Sequence, residues 1–207
     1  MAVRKNVDSD GNLDSWEKAS ARYQAEAAIP TDVASYGVGL PTERELRLVG
    51  SVKGKRVLDL GCGGGQASIA FARQGAHSIA IDASREQLGF ARRLADREEV
   101  KVEFHEADLA ELAFLPADSI DVAFSAFALA YVPDLGRVLR QVHRVLRPNG
   151  TFLFSYEHPL ALCASTATPG GGGNGAAAVT RSYFDATPLQ AERFGENFTL
   201  YPRTVSE

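Results

Sequence analysis

Between residues 56 and 157, short apolar runs alternate with stretches in which apolar residues recur every three to four positions. Residues 56–60, 78–82, 101–106, 120–125 and 151–155 have the length and apolar, branched character of strands. The fourth is apolar at almost every position, which places it at the centre of a sheet buried on both faces. Residues 66–74 carry Ala67, Ala70, Phe71 and Gln74 at helical spacing. Ser84 stands where it caps a second helix, whose inward stripe is Leu88, Ala91, Leu94 and Ala95. Pro133-Asp134 opens a third, with Leu135, Val138, Leu139, Val142, Val145 and Leu146 on one side and His143 on the other, and Pro148-Asn149-Gly150 ends it. This alternation through short links predicts an α/β fold: a doubly wound, mostly parallel sheet with helices on both faces. Such sheets bind ligands at the carboxyl ends of their strands, and Asp59, Asp82, Asp108 and Ser125 all fall there.

The pattern weakens on either side of this core. Residues 1–50 form an N-terminal helical segment read as a lid, with a polar, frayed start over 1–13 and the aromatics Trp16, Tyr23 and Tyr36. An aromatic in such a segment packs into the core at least as readily as it covers a site. Residues 51–157 are the cofactor-binding core of one domain, and 158–207 an acceptor-side region. Within it, residues 165–178 are dense in glycine, so a mobile loop over the site is expected. Residues 181–185 and 198–203 read as two short antiparallel strands near its mouth.

With 207 residues, 45% hydrophobic and 23% charged, the chain has the material for a single buried core. Its formal net charge is −4 and its lysines and arginines form no stripe, which argues against a nucleic-acid partner. No run approaches the roughly 18 uninterrupted apolar residues of a membrane span, so no membrane partner is expected. Residues 1–10 have no apolar centre of the signal-peptide kind. Cys62 and Cys163 match neither a metal site nor a disulfide framework, so no metal and a reducing, cytoplasmic location are expected.

Chemistry concentrates at Val57-Leu58-Asp59-Leu60-Gly61-Cys62-Gly63-Gly64-Gly65, a strand that ends in an acid and breaks into a glycine loop before a helix. Glycines at 61, 63 and 65 remove Cβ atoms where a ligand would come closest. The loop is also expected to aim free amide N–H groups and a positive helix end at that ligand. Asp82 and Asp108 follow at the ends of the next two strands. A nicotinamide-binding fold also pairs a glycine loop with a later acid, but its fingerprint needs a third glycine where this chain has Gln66. Together with the Arg-Pro-Asn-Gly turn at 147–150, the set resembles the cofactor site of the class I S-adenosylmethionine-dependent methyltransferases, over roughly residues 50–157.

The resemblance implies a Rossmann-like methyltransferase fold with S-adenosylmethionine as cofactor and S-adenosylhomocysteine as product. It implies that Gly61, Cys62 and Gly63 pass under the methionine part, and that Asp59 braces the loop and holds the methionine amino group. Asp82 would accept from both ribose hydroxyls, with Ala83 beside it. Asp108 and Leu109 would hold the adenine edge and face. Gln87 stands where the family often has methionine against the adenine, and Ser125 and Ala126 would line the floor near the sulfonium. The acceptor is read as a small molecule, because Ser125-Ala126-Phe127-Ala128 replaces the Asn-Pro-Pro-aromatic motif of enzymes that modify exocyclic amines. His158 is the candidate general base, since imidazole titrates near neutral pH.

Each assignment has a plainer alternative. A strand-end aspartate such as Asp82 often caps the next helix, Asp108 has the alternative of a solvated turn acid, and His158 that of a surface histidine before Pro159. Family members usually close the sheet with two further strands, and this chain is read as stopping short of them. That leaves a sheet edge open to a second copy, hence a homodimer. The competing functions are an NAD(P)-dependent oxidoreductase and a truncated, non-catalytic cofactor-binding module.

Overall fold

The computed structural model describes residues 7–165 and 178–205. Five parallel strands make the central sheet: β1 (Arg56–Leu60), β2 (His77–Asp82), β3 (Glu103–Glu106), β4 (Ile120–Ala126) and β5 (Leu146–Ser155). Their order is β3-β2-β1-β4-β5, so the chain reverses its direction of growth between β1 and β4. That reversal opens a crevice at the carboxyl ends of those two strands.

The three helices read from periodicity are present as α3 (Gln66–Arg73), α4 (Arg85–Arg97) and α5 (Leu135–Val145), preceded by α1 (Val7–Ala27) and the short α2 (Glu43–Leu46) in the N-terminal segment. Ser84 caps α4 by accepting from the Gln87 amide at 3.1 Å, and Asp134 caps α5 by accepting from the Arg137 amide at 2.8 Å. Alternation along β1 sends Leu58 and Leu60 to one face, where they join Ile79, Ile81 and the α5 valines Val138, Val142 and Val145. Val57 packs on the other face with Phe71 of α3, Phe124, and Tyr36 from the N-terminal segment. Leu139, expected on the inward side of α5, is 36% exposed, while His143 is exposed as expected.

Three local expectations are corrected. First, α5 ends at Val145 rather than at Pro148-Asn149-Gly150. Pro148 disfavours helix at Arg147 before it, and the chain is already extended one residue earlier at Leu146 (ψ 136°), where pairing with Ile120 begins β5. The predicted turn becomes an irregularity inside β5, with Asn149 at φ 64°. Second, residues 7–13 are helical rather than frayed. Asn12 is 5% exposed, and its amide donates to the carbonyls of Tyr131 (3.1 Å) and Thr199 (2.9 Å) while accepting from the Thr199 amide (2.8 Å). A polar side chain thus takes the place of a strand neighbour.

Third, the antiparallel strands near the mouth are β8 (Leu189–Arg193) and β9 (Glu196–Leu200), whereas 181–185 form a turn. The two-residue link Phe194-Gly195 has positive φ at both positions (53° and 81°), the primed turn that matches strand twist. A minor pair, β6 (Ala164–Ser165) with β7 (Ala178–Val179), precedes them. The glycine run at 170–173 lies outside the described residues.

Candidate functional site

A cavity of about 340 Å³ opens over the carboxyl ends of β1, β2 and β4. Its inner wall is the loop from Gly61 to Gly63 with Asp59, Asp82, Ala83, Gln87, Asp108, Leu109 and Ala126, all anticipated from the sequence. The outer wall comes from α1, the turn at Leu129–Tyr131 and the tip of the β8–β9 hairpin.

The loop works by shape more than by free donors. Gly61 and Cys62 both donate to the Ile81 carbonyl at 2.9 Å, Gly65 donates to the Cys62 carbonyl at 2.9 Å, and Gly63 donates to Asp82 Oδ2 at 2.8 Å. The Gly61, Cys62 and Gly63 amides hold the loop against β2 and the Gly65 amide closes a turn within it, so these four do not face a ligand, contrary to expectation. The glycines also divide by role. A Cβ at Gly61 would overlap the Ala128 methyl, at Gly64 the Gln24 amide, and at Gly65 the Ala91 methyl. At Gly63 the nearest atoms would be Gln87 Oε1 at 3.7 Å and Tyr23 Cε1 at 3.9 Å, so Gly63 leaves its side open to the cavity.

The carboxylates are held in different environments. Asp59 is 2% exposed and accepts from Ser68 Oγ at 2.5 Å. Burial, with the nearby Asp82 charge, pushes its pKa up to about 7. Asp82 accepts from the Gly63 amide through Oδ2 and from the Ser84 amide through Oδ1 (2.9 Å), and burial raises its pKa too. The helix-cap alternative for Asp82 therefore goes to Ser84, and Asp82 braces the loop. Asp108 is exposed at the cavity rim and accepts from the Ala110 amide at 2.8 Å, the turn geometry its alternative foresaw. Cys62 is buried, which raises its thiol pKa well above the usual value.

Two predicted site residues are elsewhere. Ser125 is fully buried outside the cavity lining, its hydroxyl donating to the Leu60 carbonyl at 2.9 Å and so tying β4 to β1. The floor is instead Ala126, Phe127 and Ala128. His158 is exposed and also outside the lining; its Nδ1 accepts from the Leu160 amide at 3.2 Å within a local turn.

Several lining residues went unread in the sequence, and Trp16 and Tyr23, left there between lid and core, line the cavity. Phe127 sits at φ 57° just beyond β4, a costly conformation for a bulky side chain, and its ring fills the space that any side chain at Gly37 would need. Trp16 packs edge-to-face on Tyr23 and Tyr131 and at a tilt on Phe198, at ring separations of 5.4, 5.3 and 4.8 Å, and Phe194 lies 5.1 Å from Tyr23. Tyr36, by contrast, is core: its hydroxyl donates to Glu43 at 2.5 Å and its ring packs on Phe124. Gln24 links α1 to the loop region, accepting from Gln66 and donating to Gln87, both at 2.7 Å. Arg193 donates to the Tyr131 hydroxyl at 3.0 Å and pairs with Glu157. The one available sequence signal was the Phe-Gly turn between alternating residues, which marks a hairpin tip.

Among the described residues, no helix is long and apolar enough to cross a membrane, and no cluster of three or more potential metal ligands occurs. Residues 58–154 match the family model described as a methyltransferase domain. A ubiquinone biosynthesis O-methyltransferase of Aeromonas salmonicida is 35% identical over 155 residues, covering 72% of this chain and 64% of that one. The chain thus spans less than two thirds of that relative's length. A Listeria monocytogenes structure superimposes with a TM-score of 0.67 at 29% identity, covering 79% of this chain and 78% of that one. An S-adenosylmethionine-dependent methyltransferase of Mesorhizobium loti superimposes with a TM-score of 0.61 at 31% identity, covering 78% of this chain and 73% of its own. Sheet order, loop and these likenesses agree: the chain belongs to the S-adenosylmethionine-dependent methyltransferase family.

Proposed function

We propose that the protein transfers a methyl group from S-adenosylmethionine to a small, largely apolar acceptor. The observation that supports this reading most is the pairing of Gly63, whose missing side chain leaves the cavity open, with Asp82, whose carboxylate fixes Gly63 from the neighbouring strand. The donor set fits the cofactor. Oδ2 of Asp82 takes the Gly63 amide and Oδ1 the Ser84 amide, and a carboxylate has further acceptor positions for the ribose hydroxyls. Asp108 and Leu109 offer an acceptor edge and an apolar face for adenine, Asp59 an acceptor for the methionine amino group, and Gly61 to Gly63 a flat backbone beneath it.

When bound, the cofactor supplies a carbon already activated by its sulfonium. The chain's own task is to hold the acceptor in line and keep water out. The aromatic outer wall does both. At that wall Tyr23 is pushed up to about 12 and Tyr131 upward, both by burial, so their phenols stay neutral and act as donors rather than bases. With His158 outside the cavity and both phenols neutral, the outer wall offers no base at neutral pH among its described residues, which favours an acceptor that reaches the site already nucleophilic.

The related O-methyltransferase supports oxygen as the receiving atom. A cytoplasmic location fits two free, buried cysteines. A homodimer fits the outer edges of β3 and β5, which carry no strand partner among the described residues. Light scattering tests the last point.

Titration calorimetry tests the core reading. S-adenosylhomocysteine should bind in the micromolar range and NADH should not. Asp82→Ala should weaken the former by ~1.5–3 kcal/mol, the range for hydrogen bonds to a charged group. Tight NADH binding, or an unchanged dissociation constant in the variant, would sink it.

A further inference from the structure

We propose that Arg193 reads a carboxylate on an aromatic acceptor, so that the substrate class is aromatic acids; this rests on the methyltransferase reading above. The cavity is electrostatically divided. Asp59, Asp82 and Asp108 stand along its inner wall, and Arg193 is the only Lys, Arg or His among its described lining residues. Among the described lining residues the cofactor side offers an anionic end no side-chain cation, so such an acceptor is drawn to Arg193 at the hairpin tip. The surfaces around Arg193 are rings: Tyr131 beneath the guanidinium at 5.9 Å, then Trp16 and Phe194. A planar ring system stacks there without exposing polar edges.

The guanidinium is also prepared for the task. Tyr131 and Glu157 occupy one N–H on each terminal nitrogen, which fixes the plane of the fork and leaves further donors on it. Glu157 is not part of the cavity lining, so the countercharge sits behind the arginine rather than in the acceptor's way. Arg193 ends β8 at a two-residue turn, a rigid support for a specificity residue. A planar fork beside rings matches a carboxylate on an aromatic framework better than it matches a lone hydroxyl.

The test uses full-length protein saturated with S-adenosylhomocysteine and a panel of aromatic carboxylates (benzoate, cinnamate and their hydroxylated forms), each paired with its primary amide. Calorimetry should show at least one acid binding about tenfold or more tighter than its amide, with affinity falling as salt rises. Arg193→Gln should abolish that preference, and Arg193→Lys should restore part of it. Glu157→Gln, which removes the competing charge, should tighten the acid and leave the amide unchanged. Equal affinities within every pair, or no binding by any acid, would overturn the proposal. So would Arg193→Gln weakening S-adenosylhomocysteine while leaving the acid preference intact, since that places the arginine on the cofactor's own carboxylate. If unmodified protein fails to bind S-adenosylhomocysteine, the underlying methyltransferase reading fails instead. Glu157→Gln keeps the proposal open to refutation if the arginine variants do not fold.

Discussion

Gly61 and Gly63 stand two residues apart and carry opposite burdens. Both have positive φ (70° and 54°), so alanine at either costs ~1–2 kcal/mol from the left-handed backbone. At Gly61 the added methyl also meets Ala128, and overpacking of that kind adds ~1–3 kcal/mol. Gly61→Ala should therefore lower the melting temperature well beyond Gly63→Ala. Gly63→Ala should instead lose S-adenosylhomocysteine affinity while keeping its circular dichroism. Equal melting temperatures, or intact binding in the second variant, would contradict this division.

Asp59 ties the site to pH. Its folded pKa of about 7 lies above the ~3.9 of an unfolded aspartate, so between these values the native state holds a proton that the unfolded chain has shed. Stability from this residue must then fall as pH rises through that window and level off above it. Asp59→Asn removes the titration and keeps an acceptor for Ser68, so its stability relative to the parent should improve from pH 5 to pH 8 in urea melts. If Asp59 holds the methionine amino group, ligand binding near pH 6 should also release protons. Calorimetry in buffers of different ionisation heat reads this, and identical heats would remove Asp59 from that role.

Among the elements, α1 is the one whose placement owes least to its own sequence. It carries Gly11 in its interior and few apolar residues, and a glycine there costs about 0.5–1 kcal/mol relative to alanine. Tertiary partners hold it: Asn12 on β9, Trp16 in the aromatic cluster and Gln24 on the glutamines beside the loop. Asn12→Ala strands the Thr199 amide and should destabilise by ~1–3 kcal/mol. The expected signature is faster proteolytic cleavage within α1 while the central sheet stays folded. Unchanged cleavage would mean that the rings alone seat the helix. Where apolar periodicity set the helix, as in α4 and α5, the sequence located it to within a few residues. Where hydrogen bonds from polar side chains did so, the pattern was silent.

Across the whole molecule, two layers should differ in mobility. The central strands β1, β2 and β4 are buried and paired on both sides, whereas the outer layer of α1 and the β8–β9 hairpin rests on them through side chains. Hydrogen exchange should show the slowest amides in β1 and faster exchange in α1 and the hairpin, with S-adenosylhomocysteine slowing the outer layer. Uniform protection without ligand would argue against a lid. The cavity belongs to both layers, which is why it was only half visible in the chain.

The inner half was legible in the sequence, because a parallel strand, its glycine loop and the acids at successive strand ends are local features whose spacing carries their geometry. Asp59, Gly63, Asp82 and Asp108 follow from the order of residues and the rule that ligands sit at strand carboxyl ends. The outer half brings together residues far apart in the chain. Asn12 meets Thr199, Trp16 meets Tyr131 and Phe198, and Arg193 meets Glu157. No period or motif encodes such meetings, since each depends on where two separately folded elements dock. The same reason displaced Ser125 and His158. Chain position put both near the right strand ends, but whether a side chain faces a cavity, a neighbouring strand or solvent was decided by the backbone's final course.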